Sequence, residues 1–287
     1  MIKINSFGVI GGDKRQVAMI DAIAQDGYTV YAAGFEKAEF AGGVEKVGWQ
    51  EAVEKGDYVI LPLPATRDAK TLNAPFSAAR IPLDDDFAAS MQEKTVFCGM
   101  KGKLVPTSDL WGKVDLRDYF EREEFAVRNA VPTAEGAIEI AMREFPGTIN
   151  GARCLVTGFG RIGKVLAVML RGLGADVTVS ARKAQDLAWI ELFGCRAVQT
   201  ARLADHSGFD LIFNTIPQMV FDAHVLAKTA PGAIVIDLAS APGGVDFDSA
   251  QRLGIRSIQA LSLPGKVAPK AAGEIIRTTI YNMIEEG

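Results

Sequence analysis

The sequence predicts an α/β protein of two doubly wound parallel-sheet domains, separated by a cleft and linked by a crossover helix and a C-terminal helix. Three observations predict it. Short apolar runs alternate with stretches whose apolar residues recur at helical spacing, the pattern of strands joined by crossover helices. One such run, Cys154-Leu155-Val156-Thr157, breaks into Gly158-Phe159-Gly160-Arg161-Ile162-Gly163, a G-x-G-x-x-G set between a strand and a helix. The length, 287 residues, is about twice that of a common single domain.

Taken in order, Phe7-Gly8-Val9-Ile10 reads as the first strand and Gly11-Gly12-Asp13 as the turn after it. Val17, Ile20, Ile23 and Ala24 then mark one apolar helix face. Further strands are Tyr28-Thr29-Val30-Tyr31, ended by Gly34, and Tyr58-Val59-Ile60-Leu61, closed by Pro62 and Pro64. Thr95-Val96-Phe97-Cys98, closed by Gly99, is another. Gly11-Gly12-Asp13 is no dinucleotide fingerprint, and Asp13 sets a negative charge where a pyrophosphate would sit. This first domain, residues 1–130 completed by a C-terminal helix within 268–287, is therefore assigned to substrate and partner.

The chain then crosses over. Glu121-Arg122-Glu123-Glu124 reads as a solvated charge run, and a linker helix is expected over 132–142, ended before Pro146-Gly147. The second domain, residues 131–267, holds this helix and a Rossmann-type unit. Its strands after the fingerprint are Asp176-Val177-Thr178-Val179-Ser180, Leu211-Ile212-Phe213-Asn214 and Ile234-Val235-Ile236-Asp237. Ligands of open α/β sheets bind at the carboxyl ends of strands, so the loops beginning Thr215-Ile216-Pro217 and Leu238-Ala239-Ser240 point at a cofactor. A final helix is expected over about 271–284.

Composition excludes several classes. A formal charge of −4 gives no electrostatic footprint for nucleic acid. No apolar run is long enough to cross a bilayer, so no membrane partner is expected and the cytoplasm is the default compartment. Cys98, Cys154 and Cys195 are odd in number and widely spaced, which fits reduced thiols and neither a disulfide framework nor a metal site.

The fingerprint assigns its own chemistry. Gly158 permits the tight turn, Gly160 lets a pyrophosphate approach the backbone, and Gly163 lets helix pack on strand. The helix N-terminus adds N–H groups and partial positive charge. The cofactor-binding set is Gly158, Phe159, Gly160, Arg161, Ile162, Gly163, Ser180, Arg182, Lys183, Asn214, Thr215, Ile216, Pro217 and Asp237. The second strand ends in Ser180-Ala181-Arg182-Lys183 without the carboxylate that takes a ribose 2′-OH in NAD enzymes. A carboxylate would repel a 2′-phosphate, whereas Arg182 can grip it, so NADP is favoured over NAD. His206 and His224 lie away from strand tips and are read as surface residues, which disfavours an imidazolium mechanism.

Several longer motifs resemble the family of dipicolinate synthase A-subunits over essentially the whole chain. They are Val9-Ile10-Gly11-Gly12-Asp13 with Arg15-Gln16, Phe120-Glu121-Arg122, and Pro132-Thr133 with Glu135-Gly136. Asn214-Thr215-Ile216-Pro217, Asp237-Leu238-Ala239-Ser240 with Pro242-Gly243-Gly244, and Leu263-Pro264-Gly265 with Val267-Ala268-Pro269-Lys270 complete the set. Lys266 fills a variable position. The resemblance implies oxidation of dihydrodipicolinate, a lysine-pathway heterocycle, to dipicolinate (pyridine-2,6-dicarboxylate) with NADP, in the cytoplasm of a sporulating mother cell. It also implies an oligomer with a flavoprotein-like B-subunit of dipicolinate synthase.

A dicarboxylate needs cationic or N–H partners at both ends. The substrate-binding candidates are Arg15, Thr66, Arg122, Ser240 and Lys270, and the proton acceptors considered are Glu135 and Asp13. Two other functions fit the residues: another two-domain NADP-dependent dehydrogenase, or a non-catalytic nucleotide-binding subunit supporting a flavoprotein.

Overall fold

The computed structural model describes residues 5–287. The chain divides into two compact units, Met1–Arg128 with Ala268–Gly287, and Asn129–Val267.

In unit 1 the elements run β1 (Ser6–Ile10), α1 (Lys14–Gln25), β2 (Thr29–Ala33), β3 (Val44–Lys46), α2 (Trp49–Lys55) and β4 (Tyr58–Ile60). Then come α3 (Asp85–Ala89), β5 (Thr95–Cys98), α4 (Lys101–Leu104) and β6 (Asp115–Asp118). The strands form one parallel sheet in the order β3-β2-β1-β4-β5-β6. Every residue of β1 is buried, as a parallel strand covered on both faces must be. Phe7, Val9, Met19, Ile20 and Ile23 pack on one side; Ile10, Val53, Val59, Phe87 and Val96 pack on the other.

A long helix, α5 (Glu123–Glu144), leads from unit 1 into unit 2. It begins nine residues before the expected start at 132, and the charge run expected to be mere solvated surface supplies its first turn. Glu123 and Glu124 lie there, where carboxylates complement the helix dipole. Pro132 is an interior residue. Lacking an N–H, it cannot bond the carbonyl four residues back, that of Arg128, and the division between the units falls immediately after Arg128.

Unit 2 continues with β7 (Arg153–Thr157), α6 (Arg161–Gly172), β8 (Asp176–Ala181), α7 (Ala184–Leu192), β9 (Arg196–Gln199) and β10 (Leu211–Asn214). After α8 (Ala223–Leu226) come β11 (Ile234–Asp237), α9 (Phe247–Arg252), β12 (Arg256–Gln259) and α10 (Leu263–Val267). The parallel sheet has the order β12-β11-β10-β7-β8-β9. Read from its first strand, this is the same 3-2-1-4-5-6 winding as in unit 1, the Rossmann order. In both sheets the strand order switches sense between the first and fourth strands, β1/β4 and β7/β10. Finally α11 (Pro269–Glu285), two residues longer at its start than expected, returns the chain to unit 1. Ile276, Ile280 and Met283 of α11 join the core under α1.

Candidate functional site

In unit 2 each fingerprint glycine has a separate steric reason. Gly158 adopts φ +93°, and a Cβ there would lie 2.6 Å from Thr215 Oγ1. A Cβ on Gly163 would lie 2.0 Å from the Gly158 carbonyl oxygen, so only glycine lets α6 sit this close to the end of β7. Gly160 differs from both: its φ is −81° and a Cβ would meet nothing within 4 Å. It caps α6 without a side chain. The fold does not need glycine at 160; a ligand lying against the backbone would. This open helix N-terminus fits a dinucleotide pyrophosphate.

The remaining predicted cofactor residues sort by what their side chains touch. Phe159 is buried and stacks edge-on against Phe193, with ring centroids 5.6 Å apart, so it anchors the turn from below. Ser180 is fully buried and accepts from Thr200 Oγ1 at 3.2 Å, while its carbonyl accepts from Gly158 N at 3.0 Å. Arg182 and Lys183 follow, both exposed at the tip of β8. Arg161 and Ile162 open α6.

Asn214 and Asp237 are fully buried and bonded to each other. Asn214 Nδ2 donates to Asp237 Oδ1 at 2.7 Å and to the Ile216 carbonyl at 3.0 Å. Its Oδ1 accepts from Thr157 Oγ1 at 2.6 Å and from Ile216 N at 3.2 Å, which fills the amide's capacity. Asp237 also accepts from Ala239 N and Gly244 N, at 3.2 and 3.1 Å. Together they tie the loop after β10 to the loop after β11. That sets Thr215 and Ile216 against Gly158, with Pro217 exposed beyond them. These two side chains hold the loops that face the turn; they are engaged with the protein itself.

In unit 1 the corresponding turn is built differently. Asp13 caps α1, accepting from Arg15 N at 3.0 Å, while Asp13 N donates to Gln16 Oε1 at 3.1 Å. Arg15 folds back onto the same carboxylate through Nε at 2.9 Å and one terminal nitrogen at 2.8 Å, and that nitrogen also donates to the Leu63 carbonyl. Burial pushes the Asp13 carboxyl up, but Arg15 outweighs it and, with Arg67, holds Asp13 below the ordinary carboxylate range. The place where a pyrophosphate would sit is filled by the protein's own carboxylate, as the sequence suggests.

The other substrate and proton-transfer candidates are dispersed. Thr66 is buried and donates to the Thr71 carbonyl at 2.7 Å. Arg122 is held by Glu124 at 2.7 Å and Glu286 at 2.8 Å, a surface ion network joining the start of α5 to the end of the chain. Lys270 is exposed in the first turn of α11. One turn on, Gly273 packs against the Arg15 carbonyl. Ser240 is exposed and belongs to unit 2, unlike the other four. Glu135 lies exposed in the middle of α5, not near a helix start as expected, because the helix begins at Glu123.

Two groups in the segments that follow β4 and β6 have no signal in the sequence. Tyr119 is fully buried and donates to the Leu61 carbonyl at 3.0 Å. Arg67, within reach of Asp13's charge, donates through Nε to Asn73 Oδ1 at 3.1 Å. Neither carries a motif; Arg67 sits in a loop without periodicity, where its charge alone was the available signal.

Comparison with known proteins follows the same division. Residues 6–106 match the N-terminal domain of dipicolinate synthase A-subunits, and residues 126–246 match the NAD-binding domain of D-isomer specific 2-hydroxyacid dehydrogenases. The chain is 34% identical to the dipicolinate synthase A-subunit of Bacillus subtilis strain 168 over 282 residues, covering 97% of this chain and 95% of that one. It is similar to the crystal structure of the dipicolinate synthase A-subunit from Bacillus halodurans, with a TM-score of 0.89 and 32% identity, over 99% and 98% of the two chains. A transhydrogenase from Sinorhizobium meliloti shares the fold, with a TM-score of 0.71 at 15% identity over 98% and 93%.

Proposed function

The chain belongs to the family of dipicolinate synthase A-subunits, and on that premise we propose that it oxidises dihydrodipicolinate to dipicolinate with NADP, as one component of a larger enzyme. The family and the dehydrogenase-type nucleotide domain give the coarse reading, an oxidoreductase subunit that binds a nicotinamide dinucleotide. The observation that carries the choice of NADP is the pairing of an α6 N-terminus that no side chain caps, at Gly160, with Arg182 and Lys183 immediately after β8; the substrate follows from the family.

The nicotinamide supplies a hydride acceptor. The residues of this chain do the rest. Backbone N–H groups at the start of α6 take the pyrophosphate. Arg182 takes the 2′-phosphate, with Lys183 adding charge. The loops locked by Asn214 and Asp237 fix the turn that Gly158 makes. The dihydropyridine loses a hydride and one proton and becomes aromatic, so the driving force lies in the substrate, and orientation is the main demand on the protein. Arg15 is the first choice for a substrate carboxylate: Asp13 fixes its plane and leaves its second terminal nitrogen to be offered. Lys270 and Ser240, both exposed, are the further substrate candidates, whereas Arg122 is held by Glu124 and Glu286 and Thr66 is buried with its hydroxyl already donating.

The test is cofactor preference. Arg182→Ala raises the Kd for NADPH by about tenfold or more while that for NADH changes little, since one charge-assisted contact is worth roughly 1.5–3 kcal/mol. Equal losses for the two cofactors overturn the NADP assignment. Turnover of dihydrodipicolinate by the purified chain, with and without a flavoprotein-like partner, tests the reaction itself.

A further inference from the structure

Behind the Asp13–Arg15 pair stands a closed ring of contacts in unit 1. We propose that two members of this ring, the fully buried Gln16 and Tyr119, are positioning residues that hold the Arg15 guanidinium ready for a carboxylate. The inference rests on the reading of Arg15 as a substrate group and deepens it by naming what sets that side chain in place.

The ring can be followed atom by atom. The Asp13 carboxylate accepts from Arg15 N at 3.0 Å, from Nε at 2.9 Å and from one terminal nitrogen at 2.8 Å. That terminal nitrogen also donates to the Leu63 carbonyl. Two positions earlier, the Leu61 carbonyl accepts from the Tyr119 hydroxyl at 3.0 Å. Tyr119 lies beside the Gln16 amide, and Gln16 Oε1 accepts from Asp13 N at 3.1 Å, which closes the ring. Gly12 makes room for it: φ there is +130°, and a Cβ would lie 2.4 Å from Gln16 Cγ. The first turn of α1, the segment after β4 and the residue after β6 therefore converge on one arginine.

Stability alone does not account for Gln16. A capping box uses only its Oε1 atom. Its Nε2 is buried and completes no hydrogen bond, and an unpaired buried donor destabilises a fold. Methionine has a similar length and would fill the same space without that penalty. Glutamine is suited to 16 by what its two ends touch, Asp13 on one side and Tyr119 on the other. Burial pushes the Tyr119 hydroxyl well above its ordinary pKa, so it remains a neutral donor to the segment on which Arg15 rests. The return on this arrangement is preorganisation: an arginine already fixed in its plane loses less rotamer freedom when a carboxylate arrives.

The experiment is a double-mutant cycle on the full chain, read as the Kd for pyridine-2,6-dicarboxylate by calorimetric titration. Arg15→Gln is expected to weaken binding about tenfold or more. Gln16→Met and Tyr119→Phe should each weaken it about threefold to tenfold, the cost of ordering one long side chain on binding. Placed in the Arg15→Gln background, either substitution should add nothing, because both act through Arg15. Exchange protection of the β1 and β4 amides checks that unit 1 is folded in every variant, and Tyr119→Phe, which removes a single oxygen, disturbs packing least. If Gln16→Met or Tyr119→Phe binds like the parent, or if its loss persists undiminished without Arg15, the proposal is overturned while the role of Arg15 stands. If Arg15→Gln itself binds like the parent, the substrate reading of Arg15 fails and the proposal falls with it.

Discussion

At the scale of single residues, the glycines of the fingerprint separate folding from binding. A methyl group at 163 would sit 2.0 Å from the Gly158 carbonyl oxygen, a backbone atom that cannot rotate away. Gly163→Ala is therefore expected to lower stability by about 1–3 kcal/mol or more, measured by urea unfolding. A methyl at 160 meets nothing, and its φ suits any residue. Gly160→Ala should unfold like the parent yet bind dinucleotide at least about tenfold more weakly. If the two variants lose stability alike, Gly160 is a folding residue and the ligand reading of it fails. Asp13 gives a pH-dependent counterpart in unit 1. Burial opposes its charge and Arg15 more than compensates, so its native pKa lies below the unfolded one. The stabilisation is complete above the unfolded value, near pH 4, and is lost as pH falls through the lower native value. Asp13→Asn keeps the cap and removes the charge. The stability gap between parent and variant should be wide at pH 7 and should narrow toward pH 3; a constant gap would mean that Arg15 contributes nothing through charge.

At the scale of elements, legibility followed burial. The central strands β1, β4, β7, β10 and β11 are apolar runs covered on both faces, and each was readable. The edge strands were not. Val44-Glu45-Lys46, Asp115-Leu116-Arg117-Asp118, Arg196-Ala197-Val198-Gln199 and Arg256-Ser257-Ile258-Gln259 carry charges because a sheet edge faces water, so neither an apolar run nor a clean alternation marks them. The start of α5 was misplaced because Pro132 reads as a helix opener, although its neighbours Ala130, Ala134 and Ala137 pack as a continuous buried face. At the site, the backbone turn and the charge after β8 were visible as spacing and composition. The bonds between Asn214 and Asp237, which are 23 positions apart, were not, since pairing across strands leaves no local signal. The C-terminal helix α11 makes its own prediction. Ile280 is fully buried beneath α1, and truncating such a side chain costs about 2–5 kcal/mol. Ile280→Ala should thus expose unit 1 amides to exchange while those of β7 and β10 remain protected. Uniform loss throughout the chain would mean that the two units unfold as one.

At the scale of the whole molecule, one winding is used twice with opposite chemistry at the first turn. Both units place a glycine turn and a 12-residue helix after their first strand. In unit 1 the helix start is closed by Asp13 and Gln16; in unit 2 it is capped by a glycine without a side chain. Fold alone would allow a dinucleotide at either, so the choice rests on this difference. Bringing a pyrophosphate to α1 would require displacing a carboxylate that accepts from Arg15 three times, and would set two anions against each other. Hydrogen exchange with NADPH should therefore raise protection at residues 158–164, 180–183 and 214–217, and leave residues 10–16 as they were. Protection gained at 10–16 instead would assign the dinucleotide to the self-capped turn, and the reading of Asp13 as a built-in occupant would fall with it. If both turns gain protection equally, capping does not discriminate between them, and the two halves must differ for some reason other than the side chain at the helix start.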